Sequence, residues 1–346
     1  MGEGLRGEVV LHATGREEPV KIIRYALRHL LEEGRVDGVV TGRLAEGECK
    51  PSLAVSSSLE EAASAPVAQI ILYGYKKLGS APKTLVERAG ERLAVLVKPC
   101  EARAIVELAK RRKVNLDDVY VIGFDCPGMR REEAHPPEEL GRTLSDPPSR
   151  EELRDACRRC EVHSPPYADV VFSFLTKSGV PIVEARTEKG AALVMHLRSR
   201  GLVAGEPALE DVLEREEAIR RLDEEGGRWL VEERERWLSA PEEERLSWFN
   251  SQLNLCVKCG SCIRACPLCF CKDCILLSRR REYTPSLFIA TRMLHMADSC
   301  VGCGKCDEVC PKSIPLSFMF YHVGRMFTSR YGYTPGADFS KPPRIV

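Results

Sequence analysis

The stretch CVKCGSCIRACP, residues 256–267, is repeated in pattern by CVGCGKCDEVCP, residues 300–311. Both follow C-x2-C-x2-C-x3-C-P, the bacterial-type spacing for cubane iron–sulfur clusters. Three closely spaced thiolates of one loop reach three irons of one cube. The fourth, turned by Pro267 or Pro311, reaches the other cube. The spacing therefore predicts one 4Fe–4S cluster on Cys256, Cys259, Cys262 and Cys310, and a second on Cys300, Cys303, Cys306 and Cys266. Zinc knuckles, the competing chemistry, use C-x2-C pairs set well apart, which two closed four-cysteine runs do not match.

The bulk properties agree with an intracellular redox chain. At 346 residues and 44% hydrophobic content, it can bury a sizeable core and divide into two or three domains. Lys plus Arg and Asp plus Glu both number 51, so no net field favours nucleic acid or an anionic membrane. Neither a signal peptide nor a bilayer-length apolar run is legible, and sixteen cysteines at metal-ligand spacings point to the cytoplasm rather than to disulfides. Two Gln and three Asn beside abundant Arg and Glu suggest a thermophilic source.

Upstream of the cysteine runs, helix and strand patterns alternate. Residues 20–33 carry an amphipathic helix stopped at Gly34, and 36–41 read as a strand. Strand 53–56 and a short helix capped by Ser58 follow, then a helix over 68–78. The apolar runs 93–97 and 119–124 have the pattern of buried parallel strands, separated by a helix over 101–112. Residues 129–149 form a loop, and 168–175 and 180–185 pair as strands around the turn Lys177-Ser178-Gly179. A helix over 188–200 ends at Gly201. These elements predict an α/β body, in part α+β, with a mixed sheet. Residues 208–250 read as charged, solvated helix packing on one side, linking that body to a ferredoxin-like domain with its own core. The expected divisions are an α/β domain over 1–205, linker 206–250, ferredoxin-like domain 251–320 and tail 321–346.

Four further cysteines fall at strand ends and on a short helix: Cys100, Cys126 and the pair Cys157/Cys160. Adjacent parallel strands end on one edge, so Cys100 and Cys126 should lie close together, with the pair closing over them. A cluster, a zinc site and unconnected buried thiols are all compatible with that arrangement.

The chain resembles the beta-subunit family of coenzyme F420-dependent hydrogenases and formate dehydrogenases. The matching segments are YALRHLLEEGRVDGVV (25–40), LAVLVKPCEARAIVEL (93–108), VIGFDCPG (121–128) and ACRRCEVHSPPYADVVF (156–172), and the likeness runs over about 20–202. The resemblance implies a third 4Fe–4S cluster on Cys100, Cys126, Cys157 and Cys160, beside a flavin, FAD. Flavin-binding members carry Gly-Gly where this chain has Glu17-Glu18-Pro19-Val20, and Thr-Lys-Tyr where it has Ser64-Ala65-Pro66-Val67-Ala68. Both departures predict weakly held FAD or none.

Between the two runs, CPLCFCKDC adds Cys269, Cys271 and Cys274, either spectator thiols or an additional metal site completed by Cys49 or a partner's residue. The function implied is that of an iron–sulfur electron-transfer subunit of a multi-subunit oxidoreductase. It would pass electrons between a catalytic subunit and flavin with coenzyme F420, or a heterodisulfide-reductase-like subunit. A flavin-free wire and docking subunit, or a zinc-stabilised interaction protein, are the alternatives.

Overall fold

The computed structural model describes residues 11–45, 48–55, 59–67, 70–71, 80–131, 148–337, 339–341 and 343. The body begins with strand β1 (Leu11–Thr14), helix α1 (Pro19–Glu32), and strands β2 (Gly38–Ala45) and β3 (Glu48–Val55). Short helices α2 (Leu59–Ala63) and α3 (Ala81–Glu87) lead to β4 (Leu93–Val97), α4 (Pro99–Lys110) and β5 (Val119–Phe124). Helix α5 (Asp155–Arg158), β6 (Val170–Ser173), β7 (Ile182–Ala185) and α6 (Glu188–Ser199) complete it. The cap at Ser58 and most of the helix expected over 68–78 lie outside the described residues.

The strands form one seven-stranded sheet in the order β1-β7-β6-β5-β4-β2-β3. Strands β2, β4, β5 and β6 are parallel, while β3, β7 and their partners pair antiparallel. Every residue of β4 and β5 is buried, as a parallel strand covered on both faces must be. Helix α1 buries the stripe Ile22, Ile23, Ala26, Leu27, Leu30 and Leu31 on this sheet, and Gly34, at φ +60°, ends the chain's helical run. Asp169 ties β5, β6 and α6 together: its carboxylate accepts the Val121 N–H and the Thr187 hydroxyl, each at 2.7 Å.

Residues 208–250, expected to be a charged, solvated helix packing on one side, are helical and pack on one side, but that side carries buried charge and forms a strap. Helix α7 (Leu209–Ser239) has 31 residues, hence about 46 Å of length, and is followed by α8 (Glu242–Asn254). Its Leu222 and Leu230 are buried, but so is Arg215, which pairs with Asp125 at 2.7 Å and also with Glu184. Glu233 grips Arg159 through two 2.9 Å bonds, and Asp223 binds His163 at 2.6 Å. The charge pattern reads as solvated because partners of opposite sign lie up to 90 residues away in sequence.

The cysteine-rich region adds α9 (Ser261–Ala265), α10 (Ile275–Ser278), α11 (Pro285–Met296), α12 (Lys305–Glu308) and α13 (Leu316–Tyr331). Helix α8 runs through 250/251 and α13 through 320/321. The expected separate core is not found. Buried side chains from Ala13 to Phe320 make one apolar cluster that spans body and cysteine-rich region. Beyond α13 the chain returns to the body. Tyr333 donates its hydroxyl to the buried Glu107 carboxylate at 2.7 Å, Gly336 N–H donates to it at 2.7 Å, and Arg103 donates twice to Pro335 O at 2.9 and 2.7 Å.

Glu107 also holds Lys110 at 3.0 Å and Arg111, so its removal strands the buried Lys110 and leaves Arg111 with Asp298 alone. Glu107→Ala should cost about 3–5 kcal/mol of stability and make the segment after Tyr331 sensitive to limited proteolysis. An unchanged denaturation midpoint would show that the tail is not anchored here.

Candidate metal centres

The carboxyl edge of the sheet gathers the body's cysteines. Strand β4 ends at Val97 and α4 starts at Pro99, so Cys100 stands in the helix's first turn. Strand β5 lies beside β4, with Gly123 opposite Val97, and Cys126 follows its end by two residues. The Cys126 N–H donates to His163 O at 2.8 Å, which holds the segment carrying Cys157 and Cys160 against the same edge. The thiols are neighbours. Burial, with Lys98 opposing and Cys160 and Cys157 adding, pushes the Cys100 thiol up to about 12. Burial, then Cys157 and Cys100, raises Cys126 well above the usual thiol range.

The long helix closes this site from outside. Gly226 lies on the backbone of Cys160: a Cβ there would stand 1.6 Å from the Cys160 carbonyl oxygen. Gly227, one residue on, meets nothing nearer than Glu161 Oε1 at 3.6 Å. A Gly-Gly step within a charged helix is the sequence signal for such close approach.

The two C-terminal runs fold alike. In each, a glycine after the second cysteine, Gly260 at φ +76° or Gly304 at φ +70°, enters a one-turn helix bearing the third. Cys256, Cys259, Cys262 and Cys310 line one small cavity. Cys266, Cys300, Cys303 and Cys306 line another. The fourth cysteine of each run thus stands with the first three of the other.

The three sets adjoin in series. Cys262 and Cys266 lie at either end of α9's single turn, linking the first C-terminal set to the second. The second meets the body: a Cβ on Gly304 would stand 2.5 Å from Ala156 Cβ, beside Cys157. Burial first, and the nearby Cys100 next, raise the Cys303 thiol at this junction. Beside the outer set Leu255 and Val257 are exposed, and Lys258 and Arg264 donate to the backbone carbonyls of Tyr283 at 2.7 Å and Cys259 at 2.9 Å.

Cys269, Cys271 and Cys274 line a cavity of about 400 Å³ with Lys83, Arg111 and His295. Among the described residues, no three His, Cys, Asp or Glu side chains close round a single-ion site. The side chain of Cys49, offered as a fourth ligand, lies outside the described ones. His322 bonds Glu233 at 3.3 Å, a structural contact.

The edge beside β2 has unmet polar chemistry. Thr41 Oγ1 on β2, Ser80 Oγ before α3 and Glu101 Oε1 in α4 are buried without a hydrogen-bond partner among the described residues. Such atoms are rare, and crevices at the carboxyl ends of parallel strands are where α/β sheets take ligands. The Glu17–Glu18–Pro19 step instead follows β1, five strand positions from β2, or about 24 Å at 4.8 Å per strand. Glu17 there is neutralised by Lys21 at 2.9 Å.

No protein-family profile matches the chain. It is 29% identical over 296 residues to the beta subunit of F420-dependent formate dehydrogenase of Methanocaldococcus jannaschii, covering 74% of this chain and 76% of the relative. It is 31% identical to subunit beta of F420-dependent formate dehydrogenase 1 of Methanococcus maripaludis, over an alignment of 376 positions covering 92% of this chain and 91% of the relative. A chain of the F420-reducing NiFe hydrogenase complex from Methanosarcina barkeri superposes with a TM-score of 0.45 at 16% identity, covering 65% of this chain and 92% of the other. The class these relatives define is that of oxidoreductase subunits. Within it, the chain belongs to the family of beta subunits of F420-dependent formate dehydrogenases.

The adjacent glycines provide a paired test. Gly226→Ala should lower stability by about 3 kcal/mol or more, since backbone must move apart. Gly227→Ala should be neutral or add up to about 1 kcal/mol, the ordinary helix preference for Ala. Equal denaturation midpoints for the two variants would contradict the close seating of α7 on Cys160.

Proposed function

We propose that the chain is the iron–sulfur electron-transfer subunit of an F420-dependent formate dehydrogenase-type complex, with three 4Fe–4S clusters acting as a relay. The supporting observation is the series of four-cysteine sets that leads from the outer set to the sheet's carboxyl edge. The ligand sets are Cys256, Cys259, Cys262 and Cys310; Cys300, Cys303, Cys306 and Cys266; and Cys100, Cys126, Cys157 and Cys160. Four thiols around a cavity suit a cube of irons, each corner taking one thiolate. Electrons from a catalytic subunit would enter at the outer set and reach the body through Cys303 and Cys100. A heterodisulfide-reductase-like subunit is the other acceptor this reading allows.

FAD fits the edge beside the innermost set. Thr41 and Ser80 offer hydroxyls, and Glu101 an acceptor, to the polar groups of such a cofactor. When bound, a flavin supplies the exchange between two-electron carriers such as coenzyme F420 and one-electron iron–sulfur centres. The protein's part is to bury that exchange beside Cys100 and exclude water. The negative charge of Glu17 and Glu18, paired in part and five strands away from β2, loses its force as an argument against it.

Iron analysis tests the relay. About twelve irons per chain are expected, and Cys256→Ala should remove roughly four while sparing the body, since a cubane holds four. A variant at Cys303 would be less informative, because that residue adjoins the body site. Unchanged iron in Cys256→Ala would overturn the ligand assignment. A count near sixteen, or stoichiometric zinc, would put a further centre at Cys269, Cys271 and Cys274.

Acid-released flavin separates this reading from the flavin-free wire. Flavin should be present in the wild type and about fivefold more weakly held in Thr41→Val, the loss of roughly one hydrogen bond. A chain free of flavin in the whole complex would favour the wire.

A further inference from the structure

Helix α11 carries a cation that has no carboxylate partner among the described residues. Arg292 is 3% exposed, and its Nε has no hydrogen-bond partner. The guanidinium stands 6.0 Å from the Phe320 ring centroid. It lines the cavity of Cys266, Cys300, Cys303 and Cys306 and, on its other side, the cavity lined by Cys269 and Cys274. The groups of negative character facing it are sulfurs: Cys266, Cys269 and Cys262. Arg cannot shed its proton in a protein, and an uncompensated buried ion costs several kcal/mol. Its counter-charge must therefore come from the sulfurs around it: Cys266 of the middle set first, then Cys269, and Cys262 of the outer set.

We infer that Arg292 is a positioning residue for the electrostatics of the relay, a fixed cation beside the middle cluster that raises the potential of that cluster. The inference rests on the cluster reading above. The step it controls is uptake of one electron by the middle cluster from the outer one, with no bond made or broken and no proton moved. Reduction adds one negative charge, so a cation held nearby favours the reduced form. Its burial makes the effect largely immune to salt, unlike that of Lys272 or Lys312 at the surface.

The test is an EPR-monitored anaerobic redox titration of the full, iron-loaded chain, with iron content measured alongside. Arg292→Met keeps the side-chain stem and removes the charge; Arg292→Lys keeps the charge. In Arg292→Met, reduction of one C-terminal cluster should become at least about tenfold less favourable, about 59 mV for one electron. The body's cluster should stay where it was, and Arg292→Lys should remain near wild type. Full iron with unmoved potentials in Arg292→Met would overturn the inference. So would a fall in Arg292→Lys as large as in Arg292→Met, because packing rather than charge would then be the cause. Should Arg292→Met lose the C-terminal clusters while Arg292→Lys retains them, charge is again the difference and the inference stands; loss in both overturns it. A wild-type chain without iron would sink the cluster reading itself.

Discussion

In the cluster reading proposed above, the rest of this structure depends on how anionic sulfur is buried. Twelve thiols in three sets lie inside or against the protein, where an isolated thiolate is heavily disfavoured. Burial first, with neighbouring thiols adding, pushes Cys100 up to about 12 and Cys160, Cys262 and Cys300 up to about 11. Such thiols become anionic ligands when a metal group takes the proton's place. The surrounding cations answer that charge: Lys98 near Cys100 and Cys126, and Arg292 near Cys262 and Cys266.

Two straps hold the sites shut. Helix α7 lies over the body's cysteine pair, made possible by the missing side chain at Gly226 and fastened by Arg215, Asp223 and Glu233. The tail after α13 fastens the cysteine-rich region to α4, with Glu107 and Arg103 as its anchors. Both straps use buried charge pairs, which are poor contributors to stability but severe if half-removed. They fix register between two regions that share one core. The relay proposed above would need that fixed separation more than excess stability.

Much of the body was legible because buried strands and amphipathic helices leave short-range periodic patterns. The runs at 93–97 and 119–124 match β4 and β5 to the residue, and the stripe of α1 names its own buried face. The cysteine runs were legible because ligand spacing is local. What escaped was everything set by distant partners. The charges of α7 look solvated until Asp125, Glu184 and Arg159 are seen opposite them. The single core escaped for the same reason, as did the unmet hydroxyls of Thr41 and Ser80, which no motif marks. The pocket departures near Glu17 and Ser64 were judged by alignment to a family, and strand order moves the first of them away from the β2 edge.

The central claim is that three clusters stand in series, with the innermost on Cys100, Cys126, Cys157 and Cys160. Anomalous scattering at the iron edge from crystals of the whole chain tests it most directly. The account predicts three separate four-iron peaks, the middle one flanked by Cys303 on the side that faces Cys100. Iron confined to the two C-terminal sites, with the four body cysteines carrying none, would contradict it.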